Sequence, residues 1–197
     1  KYNSRLHLFY GDTIHVLKKI KMLIPIQAIV FNKDYTPYAK KRDKDIMDTF
    51  YDVEINVFED YLLSPMGSFL KDDGSIYRVF TPFLRRVKAQ KNKINRPIRI
   101  TKQQLSYLSK SSALKQIEHG YIQLERNEHL LVHGGRPKAL GILRKLKQHE
   151  YYNDVRGDLS KETTQLSAYI KFGNISVREV YYKIYDTLGK DNQLLSQ

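Results

Sequence analysis

Cysteine and tryptophan are both absent from this sequence of 197 residues. Without cysteine, the chain can form neither disulfides nor thiolate metal sites. Long apolar runs are missing as well: the best stretch, residues 22–31, is interrupted by Pro25 and Gln27, so no segment is long enough to span a bilayer. No signal-peptide pattern opens the chain. We therefore expect an intracellular protein, cytoplasmic or nuclear, without a membrane partner.

Basic residues are in clear excess, with 34 Lys and Arg against 21 Asp and Glu and a formal net charge of +13 at pH 7. Hydrophobic residues make up 41% and charged residues 28%, which indicates a globular chain and not a disordered one. The excess favours a polyanionic partner, and nucleic acid is the first candidate because phosphate neutralisation needs Lys and Arg. A basic surface without such a partner explains the charge equally well.

The first half of the chain alternates between predicted strands and helices. Residues 6–10, 28–31 and 54–58 read as strands, and helices begin after Asp12 and at Thr36-Pro37. This order predicts an α/β fold with a parallel, Rossmann-like sheet. Three parallel strands are few for a sheet covered on both faces, so we expect preceding strands to be missing from this polypeptide.

The last third is predicted to be helical. Pro137 opens one helix, and Thr163 or Thr164 caps a short second helix that stops at Gly173. Ser176, followed three residues later by a Glu, has the spacing of a capping box for a final helix.

A basic stretch lies between the two halves. Residues 85–102 contain no acid and eight basic residues: Arg85, Arg86, Lys88, Lys91, Lys93, Arg96, Arg99 and Lys102. Such a run can contact phosphates or an acidic partner. We favour a solvated interdomain linker, because aromatic residues are not interleaved with the charges.

Common catalytic signatures are missing, and the six histidines never cluster at metal-ligand spacing. The most informative segment is residues 163–167, Thr-Thr-Gln-Leu-Ser, which puts three hydroxyls at the start of a short predicted helix. Free backbone N–H groups favour an anion there, and hydroxyls are donors that suit phosphate oxygens. Tyr152 and Arg156 lie just upstream and could close over the same pocket. Ordinary helix capping, which needs only one hydroxyl, explains the segment as well and is the simpler interpretation from these residues alone.

A family resemblance changes this balance. Tyr152, Arg156 and the run 163–179, Thr-Thr-Gln-Leu-Ser-Ala-Tyr-Ile-Lys-Phe-Gly-Asn-Ile-Ser-Val-Arg-Glu, resemble the first flavin-binding segment of the DNA photolyase/cryptochrome family. The family pattern reads Thr-Ser-x-Leu-Ser-x-Tyr-Leu-x-x-Gly-x-x-Ser-x-Arg. Residues 32–43 are similar to a strand-to-helix junction of the family's α/β domain, and residues 60–83 to the crossing from that domain towards the linker. These blocks follow the family order.

The resemblance implies a flavoprotein that repairs pyrimidine dimers in UV-damaged DNA under light, a carbon–carbon lyase reaction in which reduced FAD donates an electron to the lesion. By position in the pattern, the segment that holds the FAD diphosphate matches Thr163, Thr164, Gln165, Leu166 and Ser167, and Tyr152 matches the tyrosine upstream of it; these six are the cofactor-binding residues that the resemblance implies. Thr164 stands where the family more often has Ser, and the hydroxyl is kept. Residues 1–88 would be a partial α/β domain, 89–130 a basic interdomain linker, and 131–197 the start of the helical FAD-binding domain.

The resemblance ends after the first flavin segment. We therefore expect a chain truncated at both ends relative to the family, with no catalytic residue of its own and inactive without a separate C-terminal photolyase polypeptide. A folate-type antenna pigment is not expected, because Tyr38-Ala39 replaces a polar-acidic pair of the family. Two alternatives are a cryptochrome-like blue-light signalling module and a non-functional remnant of a photolyase.

Overall fold

The computed structural model describes residues 6–90, 94–98, 112–119 and 127–196. The chain divides into two compact units, one of residues 1–61 with 98–126 and one of residues 62–97 with 127–197. The predicted domain boundaries at residues 88 and 130 stay predictions. Within the described ranges, no helix has the length and apolar character that a membrane span requires.

The first unit contains a two-stranded parallel sheet. Its elements are helix α1 (Thr13–Leu23), strand β1 (Ala28–Asn32), helix α2 (Pro37–Thr49), strand β2 (Glu54–Phe58) and the 3-10 turn Ala113–Gln116. Ala28 pairs with Glu54, and the register continues to Asn32 opposite Phe58. Because α2 connects two neighbouring parallel strands, the predicted α/β fold is confirmed.

The strand predicted for residues 6–10 is wrong. The described backbone there is irregular, and Leu6 and Tyr10 are 75% and 74% exposed. The carbonyl oxygen of Leu8 accepts a hydrogen bond from the backbone N–H of His119 at 2.8 Å, which is a single contact and not a strand ladder. An apolar run becomes a strand only when its backbone groups find a partner strand, and the sequence of the run does not supply that partner.

Both predicted helix starts in this unit are confirmed. A carboxylate oxygen of Asp12 accepts from the backbone N–H of His15 at 2.9 Å at the start of α1. The hydroxyl of Thr36 accepts from the backbone N–H of Ala39 at 3.2 Å, and Pro37 occupies the first turn of α2. These side chains replace the partners that the first N–H groups of a helix lack. They fix where each helix begins.

The core of the first unit lies between α2 and the sheet. Ile46, Phe50 and Val53 are buried, and Phe50 is the largest fully enclosed side chain of the three. Six partly buried apolar residues pack against them: Ile14, Leu17, Ile26, Ile29, Phe31 and Ile55. Ile46 lies on α2, and Phe50, the residue that ends the helix four positions later, continues the same face. Burial of this face holds the helix against the sheet.

Removing the cap of α2 is expected to weaken the first unit. Thr36→Ala deletes the hydroxyl that accepts from Ala39, and the loss of such a cap costs about 1 kcal/mol of unfolding free energy. Urea denaturation followed by circular dichroism measures it. Thr36→Ser keeps an acceptor and should stay close to the original protein. Equal destabilisation by both substitutions would show that the hydroxyl does not cap the helix.

The second unit is helical. It contains α3 (Phe80–Ala89), α4 (Arg136–Arg144), α5 (Tyr152–Val155), α6 (Leu166–Lys171) and α7 (Val177–Leu188), with 3-10 turns at Leu146–His149 and Gln193–Ser196. Nine buried side chains form its core: Ala139, Leu143, Leu146, Leu166, Tyr169, Ile175, Val180, Ile184 and Leu194. Eight come from α4, α6, α7 and the two 3-10 turns, and Ile175 lies between α6 and α7, so this core joins elements spread over about 60 residues of sequence.

The basic stretch falls partly within the second unit. Arg85, Arg86 and Lys88 belong to α3, whereas Lys91, Lys93, Arg99 and Lys102 lie outside the described residues. Arg96 donates two hydrogen bonds, of 2.9 and 3.1 Å, to the carboxylate of Asp186 on α7. These bonds lower the pKa of Asp186 below its ordinary value. This member of the stretch is therefore engaged in an ion pair with the helical unit.

Candidate functional site

Helix α6 starts at an unusual backbone conformation. The residue before it, Gln165, has a φ of 49° and lies in the left-handed region, the one non-glycine residue with a positive φ in the described part of the chain. No side chain caps the helix in the usual way. The predicted N-cap at Thr163 or Thr164 is therefore wrong, because the left-handed residue forms the entry to the helix. The hydroxyl of Thr164 lies 3.5 Å from the backbone nitrogen of Leu166.

The two faces of α6 have different environments. Leu166 and Tyr169 are three residues apart, both are 5% exposed, and both belong to the core of the helical unit. Ser167 is exposed because it is turned about 100° from Leu166 around the helix axis. Leu166 is thus an anchor, and only its backbone can reach a ligand. The helix presents its first-turn hydroxyl to solvent.

The other predicted site residues differ in burial. Thr163 and Thr164 are half-buried, and Gln165 is exposed. Tyr152, on α5, is half-buried and packs against the same core as Leu166. The structure therefore brings Tyr152 to the core that seats the hydroxyl-rich segment.

The turn between α5 and α6 is fixed by a local acceptor. The backbone N–H of Arg156 donates to the carbonyl of Tyr152 at 2.9 Å and ends α5, and the Arg156 side chain is exposed. One carboxylate oxygen of Asp158 accepts two hydrogen bonds from Ser160, one from its hydroxyl at 2.6 Å and one from its backbone N–H at 2.9 Å. These two bonds lower the pKa of Asp158 below its ordinary value.

The end of α6 follows the sequence prediction. Gly173 has a φ of 65°, which suits glycine. Its N–H donates to the carbonyl of Ile170 at 3.1 Å, and the N–H of Asn174 donates to the carbonyl of Tyr169 at 2.9 Å. This pair of bonds is a Schellman motif, and it terminates the helix after six residues.

Three contacts join residues 133–136, at the entry to α4, to α6, to the residue Asn174 beyond its end and to α7, and the sequence analysis missed them. The hydroxyl of Tyr169 donates to the carbonyl of His133 at 2.8 Å. The backbone N–H of Gly135 donates to the side-chain oxygen of Asn174 at 3.1 Å. Partners 36 and 39 residues apart carry no periodic signal, so only the Gly134-Gly135 pair, which indicates a turn, could have pointed to this place.

The third contact is an ion pair. Arg136 donates two hydrogen bonds of 2.9 Å to the carboxylate of Glu179, in the parallel geometry typical of strong arginine–carboxylate pairs. The capping box predicted for α7 is therefore half wrong. Ser176 is the N-cap, and its hydroxyl accepts from the backbone N–H of Arg178 at 3.2 Å, but the carboxylate of Glu179 is engaged by Arg136.

An open cavity of about 530 Å³ lies beside the later half of α6. Its lining is mainly apolar and consists of His129, Leu130, Leu131, Val132, Gly134, Ala168, Tyr169, Phe172 and Asn174. None of the six predicted site residues lines it. The cavity and the hydroxyl-rich segment are thus different features of one short helix.

The chemistry of the hydroxyl-rich segment suits an anionic group. Thr163, Thr164 and Ser167 offer hydroxyl donors, and the left-handed turn at Gln165 is followed by the first turn of a helix, whose backbone N–H groups lack partners within the helix. In the described part of the chain, no group of three His, Asp or Glu residues could hold a metal ion. The donor set therefore fits the diphosphate of a nucleotide cofactor.

Comparison with known proteins places the sequence in a family. A sequence model of the family described as DNA photolyase matches residues 1–102, about half of the chain. The chain is similar to a deoxyribodipyrimidine photo-lyase of Synechococcus sp., with 29% identity over 89 residues that cover 44% of this chain and 18% of that protein. It is also 32% identical over 82 residues to an uncharacterised 31.6 kDa protein of Synechococcus sp. strain PCC 6716, covering 41% of this chain and 29% of that protein.

Solved structures agree with the sequence match. An archaeal photolyase from Sulfolobus tokodaii, crystallised with two FAD molecules, superposes with a TM-score of 0.66 at 26% identity over 99% of this chain and 41% of that chain.

Two further structures share the fold at lower identity. A class III photolyase from Agrobacterium tumefaciens gives a TM-score of 0.78 at 22% identity, over 100% of this chain and 42% of that chain. A Synechocystis cryptochrome gives a TM-score of 0.68 at 16% identity, over 97% of this chain and 43% of that chain. The chain thus spans about two fifths of these relatives. Together with the match over residues 1–102, this likeness means that the chain belongs to the DNA photolyase family.

Proposed function

We propose that this chain is part of a photolyase-like flavoprotein that repairs pyrimidine dimers in UV-damaged DNA under light. In this proposal the segment 163–167, with Tyr152 beside it, holds the diphosphate of FAD. FAD, when bound, supplies the light-driven electron transfer to the lesion. The residues of this chain bind and orient the cofactor, and they carry no catalytic group.

The observation that supports the proposal best is the left-handed conformation of Gln165, which follows two threonines and precedes the exposed Ser167 by two residues. A non-glycine residue in this region costs on the order of 1 kcal/mol, and such strain persists where the surroundings impose it. Simple helix capping needs no strained residue, since Thr164 in an extended conformation would do. In this proposal the hydroxyls of the segment and the first free backbone N–H groups of α6 donate to the phosphate oxygens.

The pocket needs more polypeptide than this chain supplies. Cofactor sites enclose most of their ligand, whereas the hydroxyl-rich segment lies on the surface of the helical unit. We propose that the isoalloxazine ring is enclosed by further polypeptide, either continuous with these residues or a separate C-terminal chain. FAD affinity of this chain alone should therefore be low.

DNA is the proposed macromolecular partner. The net charge of +13 supports it, because neutralised phosphates release counterions and so favour binding. Photolyase activity also requires the dimer to leave the base stack to meet the flavin. The lesion contacts belong to the same further polypeptide, and an antenna pigment forms no part of the proposal.

Reconstitution tests this function. The chain would be mixed with the part of the Agrobacterium tumefaciens photolyase that the match leaves uncovered, then purified in the presence of FAD. We expect a complex with flavin absorbance that binds a dimer-containing oligonucleotide more tightly than the intact one and repairs it under blue light. The uncovered Agrobacterium part alone, with FAD, is the control.

Each result separates the alternatives. A flavin-containing complex that binds damaged and intact DNA equally and repairs neither would favour the signalling module over the repair enzyme. A complex without flavin, or no complex at all, would contradict the proposed cofactor site.

A further inference from the structure

Helix α6 is too short to hold its own position. Six residues make fewer than two turns, and helices of this length are not stable alone in water. The left-handed Gln165 before the helix lowers its stability further. Contacts with the rest of the unit must therefore set where the segment 163–167 lies and which way its hydroxyls face.

The turn of residues 133–136 supplies polar contacts of this kind. The hydroxyl of Tyr169, which is 5% exposed, reaches the carbonyl of His133 at 2.8 Å. The side chain of Asn174, just past the end of α6, accepts from Gly135 at 3.1 Å. Core packing of Leu166 is non-directional, whereas these bonds fix both the rotation of the helix and its position along the axis.

The ion pair of Arg136 and Glu179 extends the same set of contacts to α7. Its two bonds of 2.9 Å hold the turn against the start of α7, and the same guanidinium lies 3.4 Å from the carbonyl of Asn174. The pair is partly exposed, with side chains 52% and 27% accessible, so its net contribution to stability is small. Its bidentate geometry is better suited to fixing orientation than to adding stability.

We propose that these contacts form a clamp, made by Arg136, Asn174 and Tyr169, that positions the segment 163–167 for the FAD diphosphate. The inference rests on the proposed function, since it assigns positioning residues to that same site. None of the three needs to touch the cofactor. The clamp acts through α6, which carries the segment at its start.

Charge reversal at Arg136 and Glu179 tests the clamp, and the double variant serves as the control that restores the ion pair. R136E places two carboxylates together, and E179R places two guanidinium groups together, whereas the double variant R136E/E179R restores an opposite pair. FAD is titrated into the full chain reconstituted with the uncovered Agrobacterium part, and binding is followed by flavin fluorescence anisotropy. We expect each single variant to weaken FAD binding about tenfold and the double variant to recover to within about threefold, while the melting temperature changes little.

Hydrogen–deuterium exchange of the peptide 163–171 is the second measurement, and it needs no flavin. The single variants should exchange faster there, with no change in α2, and the double variant should recover. Exchange that stays the same in all variants would overturn the clamp. Single variants that bind FAD with the affinity of the original chain, or a double variant that binds it as weakly as the single variants, would overturn it as well. If the original chain, reconstituted with the uncovered Agrobacterium part, fails to bind FAD but the exchange pattern appears, the clamp holds the segment and the proposed function is wrong.

Discussion

Replacing the three hydroxyls of the segment, Thr163→Ala, Thr164→Ala and Ser167→Ala together, should lower FAD affinity at least about a hundredfold. A hydrogen bond to a charged group contributes about 1.5–3 kcal/mol, and about 1.4 kcal/mol corresponds to a factor of ten in affinity. The side chains are half-buried or exposed, so their truncation leaves no cavity in the core. Unfolding free energy should therefore change by less than about 1 kcal/mol. Equilibrium titration of the reconstituted complex with FAD measures the affinity, and urea denaturation of the chain measures the unfolding free energy.

A matched control removes hydroxyls elsewhere. Thr81 and Ser112 are both exposed and lie outside the segment, so Thr81→Ala with Ser112→Ala should bind FAD as the original chain does. Loss of affinity in the control would show that the titration reports on general damage. Unchanged FAD affinity in the triple variant would mean that the three hydroxyls do not bind the cofactor and serve only to cap the helix.

Truncation of the core of the helical unit has the largest expected effect on stability. Leu146 is fully buried, and its 3-10 turn packs against α7. Leu146→Ala should cost about 3 kcal/mol of unfolding free energy, because the lost transfer energy is added to that of a cavity. Domains are stable by about 5–15 kcal/mol, so the effect is a large fraction of the total. Urea unfolding monitored by tyrosine fluorescence measures it, and FAD affinity should fall as the core that seats α6 loosens.

The same substitution at an exposed leucine is the control. Leu159 is 102% exposed relative to its reference state, and Leu159→Ala should change stability by less than about 0.5 kcal/mol. A cooperative transition that Leu146→Ala shifts and Leu159→Ala does not would count against a non-functional remnant, which should accumulate changes that break the core. A chain that unfolds without cooperativity, or responds equally to both substitutions, would favour the remnant.

Local signals in the sequence predict the α/β part well. Asp12, Thr36 and Pro37 are specific helix-start residues, and α1 and α2 begin where they indicate. Strands β1 and β2 follow from short apolar runs. The failure at residues 6–10 has a physical reason: hydrophobicity shows that a run favours burial, but a strand also needs a neighbouring strand, which a local pattern does not reveal.

The candidate site was harder to predict for the same reason. The position of the segment 163–167 came from its resemblance to a family pattern, and Gly173 marked the end of α6 correctly. The left-handed Gln165 could not be foreseen, because glutamine has no preference for that conformation. The bonds of Arg136 and Asn174 join residues about 40 positions apart, so no spacing rule detects them.

The most direct test of the central claim is an NMR titration of the isotope-labelled chain with FAD, ADP and riboflavin. At millimolar ligand, weak binding is still visible as shifts of backbone amide signals. We predict that FAD and ADP, which carry the diphosphate, shift the amides of residues 163–167, and that riboflavin, which lacks it, leaves them in place. If the amide signals of that segment do not shift with FAD and ADP, or shift equally with riboflavin, the assignment of the diphosphate site is contradicted.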